Sequence, residues 1–303
     1  MARQKQQKSP MKKFNVKQFR AKYGTEMQCL EYLKDRRWPD GIFCESCQEV
    51  TPHHLIESRK CYSCQECSHQ TYPTAGTIFH KSSTPLTIWF EVVFRMAQTR
   101  MGISAKQIER ETGVTYKTAW RMCKLVRQQL DEDKSPFNST DTVEVDESYF
   151  GGVKKGGKRG RGSENKTAVV GLVERGGKIV TQVIPDVKKA TLQPIVEENV
   201  EKGATVYTDE LRSYNGLTAA GYNHAKVLHS HDIYVIGNIH TNTIEGFWGN
   251  TKPGITGVYR HVSPKYLQSY LNEYAFRYNH RNDVKPMFLS MLDRMTQDSP
   301  HLI

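Results

Sequence analysis

Apolar residues follow two different patterns along the chain, and the change of pattern divides it into two parts. Up to about residue 130 they recur mostly at helical spacing, whereas from Asp141 onward they form short, β-branched runs. The first part predicts one helix over 17–33 and further helices over 85–130, with breaks near Gly102 and Gly113. The second part predicts the following elements: strands at 142–150, 166–174, 178–184 and 204–208, and helices at 191–200, 243–251 and 264–280. The sequence therefore predicts an α/β protein.

Residues 42–75 interrupt the helical part and hold five of the seven cysteines. Two Cys-x-x-Cys pairs, Cys44 with Cys47 and Cys64 with Cys67, are separated by sixteen residues. Each pair can present two thiolates to one zinc ion, and four thiolates complete a tetrahedral, structural site. Cys61 is an alternative partner for Cys64, because it has the same spacing. We expect a zinc ribbon, and the sequence leaves open whether it contacts DNA or braces the helices that follow.

Residues 104–121 have the pattern of a helix-turn-helix. Ser104 and Thr115 can cap the two helices, and Gly113 can form the tight turn between them. In this motif the leading end of the second helix contacts base edges and phosphates. The predicted DNA-contacting residues are Tyr116, Lys117, Thr118 and Arg121. An ordinary helical hairpin is the alternative.

Three acidic residues of the second part lie in segments that could hold metal ions. Asp146 lies within the strand predicted at 142–150, Asp209 directly follows the strand at 204–208, and Glu245 lies in the helix predicted from 243. Two divalent ions held by carboxylates can activate a water or a 3′-hydroxyl and stabilise the leaving oxygen of a phosphodiester. Hard oxygen ligands suit magnesium or manganese. This pattern predicts a two-metal site for phosphoryl transfer on DNA.

Each member of the predicted site has a specific role. We expect Asp146 to bridge the two ions, and Asp209 and Glu245 to bind one ion each. Lys252 follows Glu245 by seven residues, or two helical turns, and would approach the DNA backbone. Asn242 lies three residues before Glu245 on the same helical face, so it is a rival third ligand.

Three neighbouring residues are further candidates or competitors. Glu144 shares a face of the predicted strand with Asp146 and is therefore its local competitor, whereas Glu147 alternates to another position. His240 is a further candidate for the third metal ligand.

The overall charge indicates a polyanionic partner. The chain of 303 residues has a formal net charge of +11 and a pI of about 9.2. A glycine-rich segment after the Asp146 strand would bind DNA beside the active site through Lys154, Lys155, Lys158, Arg159 and Arg161. A solvated turn is the alternative.

No stretch approaches the roughly 20 apolar residues of a membrane helix, and the N-terminus has no apolar signal core. We expect a cytoplasmic protein that binds double-stranded DNA.

Several segments resemble one known family. The segments that carry the resemblance are Thr74–His80, Val145–Gly152, Tyr207–Asp209, and His240–Trp248 with Lys252. They are similar to bacterial DDE insertion-sequence transposases with an N-terminal zinc ribbon and helix-turn-helix, and the similarity extends over roughly residues 40–285. The resemblance implies an RNase H-like catalytic domain, magnesium, and binding to terminal inverted repeats. It also implies strand cleavage and transfer by a dimer or higher oligomer on nucleoid DNA.

These observations predict four segments: a basic N-terminal helical segment at 1–40, a zinc ribbon at 41–80, a helix-turn-helix domain at 81–132 and an RNase H-like catalytic domain at 138–290. The sequence is also compatible with two other functions. One is a sequence-specific DNA-binding regulator, derived from a transposase, that has lost its chemistry. The other is a metal-dependent nuclease that cuts DNA without joining it. The three intact acidic residues argue against the regulator.

Overall fold

The computed structural model describes residues 14–132, 135–151, 166–227 and 240–299. The chain forms two compact units. The N-terminal unit contains the residues up to Leu130 together with those from His280 onward. The segment between them, Asp131–Asn279, forms the central unit. Within the described ranges, no helix is long and apolar enough to cross a membrane.

The first five helices belong to the N-terminal unit: α1 (Val16–Tyr23), α2 (Glu26–Arg37), α3 (Leu86–Gln98), α4 (Ala105–Thr112) and α5 (Tyr116–Gln129). The expectation of a single helix over 17–33 is wrong, because Gly24 and Thr25 separate two helices. The Thr25 hydroxyl accepts a hydrogen bond from the backbone N–H of Gln28, and the Gln28 side chain accepts one from the backbone N–H of Thr25. This reciprocal capping box starts a new helix at Glu26.

Five short strands lie between α2 and α3. They are the hairpin β1 (Phe43–Cys44) and β2 (Glu49–Val50), and an antiparallel sheet of β3 (His53–Ile56), β4 (Cys61–Cys64) and β5 (Gln70–Thr71). The carboxylate of Glu26 connects these strands to the helices. It lies 2.6 Å from Nζ of Lys60, before β4, and accepts a hydrogen bond of 3.1 Å from the N–H of Leu86 at the start of α3.

The central unit is built on a five-stranded mixed sheet. Its strands are β6 (Thr142–Phe150), β7 (Thr167–Glu174), β8 (Ile179–Ile184), β9 (Thr205–Thr208) and β10 (Asn223–Lys226), in the order β10-β9-β6-β7-β8. β6, β7 and β8 form an antiparallel meander, whereas β9 is parallel to β6 and β10 is parallel to β9. The predicted α/β class is confirmed, and four of the strands lie within one residue of their predicted bounds.

Helices cover both faces of this sheet. α6 (Lys189–Asn199) connects β8 to β9, and α7 (Asn242–Val258) and α8 (Pro264–Asn279) come last in the unit. Leu192 and Val196 of α6 pack in the same core as Val143 and Val145 of β6. The core on the opposite face contains side chains of α7 and α8 together with Phe150 of β6. Alternate residues of β6 therefore face α6 on one side and α7 on the other.

The last helix, α9 (Met287–Met295), packs with the N-terminal unit. Phe288 is buried, and its ring centroid lies 5.5 Å from those of Tyr23 and Phe94. The catalytic domain predicted from the sequence extends to residue 290. The structure instead groups the residues from His280 with the N-terminal helices, because the apolar face of α9 completes their aromatic core.

Candidate active site and zinc site

Asp146 and Asp209 meet where the pairing of two strands stops. Residues 142–145 of β6 pair in parallel with β9, and the last pair joins Val145 to Thr208. Asp146 and Asp209 are the next residues on the two strands, so both carboxylates lie at this end of β9. The Asp209 side chain is fixed further by a hydrogen bond of 2.9 Å that its Oδ1 accepts from the N–H of Leu211. The structure therefore brings together the two aspartates that the sequence singled out.

Glu147 joins this pair, although the sequence placed it elsewhere. Asp146, Glu147 and Asp209 each offer a carboxylate oxygen within 4.8 Å of the others. Alternation along β6 does send Glu147 to the α6 face, where it accepts a hydrogen bond of 3.1 Å from the hydroxyl of Tyr214. It still offers an oxygen within 4.8 Å of one from Asp209, which follows the last paired residue of β9. The sequence gives no signal for this, since the end of pairing is a long-range property.

The electrostatics of this site favour a bound cation. Burial, together with the negative charges of Glu147, Asp209 and Glu245, raises the pKa of Asp146 to about 7. A divalent ion would remove this repulsion, and carboxylate oxygens are the ligands that magnesium prefers. The donor set therefore fits a hard divalent cation.

Glu245 and Asn242 lie in the first turn of α7, and both are exposed. Among the described residues, the group within 4.8 Å does not include Glu245, whose Oε1 accepts a hydrogen bond of 2.7 Å from the Thr241 hydroxyl. Its charge nevertheless contributes to the raised pKa of Asp146. Lys252 is exposed on the same helix, which extends to Val258 rather than ending near 251. An offset of seven residues leaves Glu245 and Lys252 on one face.

Glu144 and His240 have other partners. The carboxylate of Glu144 is fully buried and lies 2.7 Å from Nε of Arg175. It also accepts hydrogen bonds from the start of α7, including one of 2.8 Å from the N–H of Thr243. Nδ1 of His240 lies 2.9 Å from Nη2 of Arg175. The interpretation of Glu144 as a competitor of Asp146 therefore needs correction, because its oxygens are engaged by α7 and Arg175.

The four cysteines of the two pairs converge on one point in the N-terminal unit. Sγ of Cys44 lies 3.5 Å from that of Cys67, and Sγ of Cys47 lies 3.9 Å from that of Cys64. Four sulfurs placed tetrahedrally about 2.3 Å from a zinc ion would be separated by about 3.8 Å. Cys61 lies outside this group, with its Sγ 3.8 Å from Oε1 of Gln70. The donors and their spacing fit a structural zinc ion.

A hydroxyl group favours the thiolate form of one cysteine. Oγ1 of Thr51 lies 3.1 Å from Sγ of Cys64, and this hydrogen bond, together with hydrogen bonds from the backbone of Cys67 and Glu66, lowers the pKa of the Cys64 thiol to about 6. Since zinc binds the thiolate, the contact favours metal binding at neutral pH.

α4 and α5 form two helices joined by a tight turn, as expected. Ser104 and Thr115 accept hydrogen bonds from Gln107 and Thr118, and Gly113 has a φ of 75°. The predicted DNA-contacting residues occupy the first two turns of α5. Tyr116, Lys117 and Arg121 are exposed, and Thr118 is half-buried. The predicted basic residues Lys154, Lys155, Lys158, Arg159 and Arg161 lie outside the described residues.

Two family models match the chain in the regions of these two sites. The model of the ISXO2-like transposase domain matches residues 139–279, and that of the transposase zinc-ribbon domain matches residues 24–70. The first match ends where the central unit ends, and the second includes α2 as well as the ribbon strands. The chain thus contains a transposase zinc-ribbon domain followed by an ISXO2-like transposase domain.

Two relatives agree with this result. A Halobacterium salinarum protein described as an uncharacterized protein in transposable element ISH50 is 29% identical over 274 residues, which cover 84% of this chain and 90% of the relative. An uncharacterized transposase-like protein of Haemophilus influenzae is 30% identical over 122 residues, which cover 40% of this chain and 96% of the relative. The chain belongs to the insertion-sequence transposases.

Proposed function

We propose that this transposase binds the terminal inverted repeats of its element and catalyses metal-dependent cleavage and transfer of DNA strands. The observation that carries the proposal is the convergence of Asp146 and Asp209 at the end of β9, with the charge of Glu245 acting on Asp146. The mixed sheet with helices on both faces supports an RNase H-like catalytic domain.

The acidic residues would share the binding of two ions. Two magnesium or manganese ions would activate the attacking water or 3′-hydroxyl and stabilise the leaving oxygen. Asp146 would hold both ions, Asp209 one and Glu245 the other. Glu147 is an additional candidate ligand, because it offers an oxygen to the same group while Tyr214 fixes its Oε2. Lys252 would contact the DNA backbone near the reacting phosphate.

We propose that α4 and α5 act as a helix-turn-helix that positions this chemistry on DNA. The exposed start of α5 presents two cations and a tyrosine, as a recognition helix requires. Lys154, Lys155, Lys158, Arg159 and Arg161 would add phosphate contacts, a role supported by their sequence pattern. We expect a dimer or higher oligomer to hold paired ends of the element.

The proposal can be tested with pre-cut terminal-repeat ends, target DNA and magnesium. The wild-type protein should join ends to target, whereas Asp146→Asn and Asp209→Asn should reduce joining to background and retain terminal-repeat binding. Binding without joining by the wild type would favour the DNA-binding regulator. Cleavage of uncut ends without joining would favour a nuclease.

Two variants of the same helical turn distinguish the candidates for the third ligand. Glu245→Gln removes the charge that acts on Asp146, whereas Asn242→Ala removes a neighbouring exposed amide. We expect joining to be lost in Glu245→Gln and retained in Asn242→Ala. The opposite result would assign the third position to Asn242.

A further inference from the structure

The buried carboxylate of Glu144 lies against the first turn of α7. Its Oε2 accepts hydrogen bonds of 2.8 Å from the N–H of Thr243 and 3.1 Å from the N–H of Ile244, and its Oε1 accepts one of 2.9 Å from the Thr243 hydroxyl. The first amides of a helix have no partner within it and need an outside acceptor. Thr241 precedes the helix but makes no side-chain capping bond. Glu144, about a hundred residues away in the chain, therefore caps α7.

A buried carboxylate needs compensating charge, and this one has two sources. The N-terminus of α7 presents the positive end of the helix dipole to it. Arg175, which follows β7, donates from Nε to Oε1 of Glu144 at 2.7 Å. Nη2 of the same guanidinium donates to the backbone oxygen of His240 at 2.7 Å, just before the helix. Nδ1 of His240 lies 2.9 Å from Nη2 of Arg175 and 3.2 Å from Oε1 of Glu144.

These contacts connect the two elements that carry the acidic site. Glu144 and Asp146 are two residues apart on β6 and face α7. Glu245 directly follows Ile244, whose N–H donates a hydrogen bond to Glu144. A shift of the first turn of α7 would therefore move the Glu245 carboxylate relative to that of Asp146.

We propose that Glu144 is a positioning residue for the metal-dependent site: it fixes the first turn of α7 on β6 and thereby sets the separation between the Asp146 and Glu245 carboxylates. The inference rests on the proposed function of the acidic site. Glu144 acts through the helix, since its oxygens are occupied by Thr243, Ile244 and Arg175.

Manganese binding tests this role without requiring catalysis. The affinity of the full-length protein for Mn²⁺ would be measured by calorimetry for wild type, Glu144→Gln, Glu245→Ala and the double variant. Residues that orient metal ligands typically contribute about 10- to 100-fold in metal affinity or activity, so a loss of about this size is expected for Glu144→Gln. The double variant should bind no more weakly than Glu245→Ala, because Glu144 acts through Glu245.

The matched control is Glu273→Gln in α8. Glu273 is also fully buried and also paired with an arginine, Arg277, at 2.6 Å, and its Oε2 accepts a hydrogen bond of 3.5 Å from the hydroxyl of Tyr259, at the opposite end of α7. It should lower the melting temperature without changing Mn²⁺ affinity. If Glu144→Gln does not fold, Thr243→Val removes one donor to Glu144 and should weaken Mn²⁺ binding to a smaller extent.

Three outcomes would overturn the inference: unchanged Mn²⁺ affinity in Glu144→Gln and Thr243→Val, a loss that multiplies with that of Glu245→Ala, or an equal loss in Glu273→Gln. A wild-type protein that binds Mn²⁺ but joins no ends would contradict the proposed function alone. A wild-type protein that binds no Mn²⁺ would overturn both.

Discussion

Gly171 and Trp248 lie so close together that no side chain fits between them. A Cβ atom at Gly171 would lie 2.6 Å from Cζ2 of Trp248 and 2.8 Å from Cδ1 of Ile244. Gly171 is also the β7 residue that pairs with Asp146. The absence of a side chain there allows α7 to approach the sheet beside the candidate metal site.

We therefore expect Gly171→Ala to disturb both stability and catalysis. The new methyl group must displace Trp248 or Ile244, and overpacking of this kind typically costs about 1–3 kcal/mol. Displacement of α7 should also slow strand joining. Chemical denaturation and the joining assay would measure the two effects. Gly257→Ala is the control, because a Cβ atom at this α7 glycine meets nothing within 4 Å. Equal behaviour of the two variants would contradict the prediction.

Asp146→Asn should stabilise the protein in magnesium-free buffer while abolishing joining. The folded-state pKa of Asp146 is raised from 3.8 to about 7. Between these values the folded protein retains a proton that the unfolded chain has lost, so this group's contribution to stability falls as pH rises from about 4 to 7. Asparagine removes that dependence. The melting temperature of the variant should exceed that of wild type above pH 7, and the difference should vanish near pH 4.

Magnesium should reverse this order of stability. A bound divalent ion stabilises the folded wild type by mass action, and it should do so much less in Asp146→Asn. Metal binding should also release a proton near pH 6, where Asp146 is still largely protonated. Titration calorimetry in two buffers of different ionisation enthalpy would detect that proton. Metal binding without proton release would argue against the raised pKa.

Cys64→Ser and Cys61→Ser should differ in zinc content. Cys64 belongs to the group of four sulfurs, whereas Cys61, equally buried, lies outside it. Elemental analysis should find one zinc per chain in the wild type and in Cys61→Ser, and substantially less in Cys64→Ser. Loss of zinc from both variants in folded protein would return Cys61 to the set of ligands.

Arg121→Ala and Lys117→Ala should weaken binding to terminal-repeat DNA and reduce its dependence on salt. Each variant that loses a phosphate contact should reduce the slope of log affinity against log salt by about 1. The control is Lys106→Ala in α4, which removes a positive charge whose Nζ is paired with Glu109. Fluorescence anisotropy over a range of salt concentrations would measure the slopes. An equal effect of all three variants would indicate a general charge effect.

The sequence predicted those features that depend on local patterns. The alternation around Asp146 and the apolar run before Asp209 identified two strands and the acidic pair. The spacing of the Cys-x-x-Cys pairs predicted the sulfur cluster, and the caps at Ser104 and Thr115 predicted the limits of α4 and α5. In each case the residues that determine the element lie within a few positions of one another.

The features that the sequence did not predict depend on distant contacts. Glu144 caps a helix about a hundred residues later, and no local pattern records that partner. Glu147 joins the acidic pair where β9 ends at Thr208, which concerns strand pairing rather than alternation. β10 escaped prediction because its four residues, Asn223–Lys226, are mostly polar and are held by pairing with β9.

The packing of α9 has a consequence for the order in which the protein folds during synthesis. Residues 287–295 emerge from the ribosome after the whole of the central unit, yet the buried side chain of Phe288 packs against Tyr23 and Phe94. A nascent or truncated chain that stops before this helix leaves those aromatic side chains uncovered. The helices of the N-terminal unit therefore reach their final stability only in chains that also contain the complete central unit.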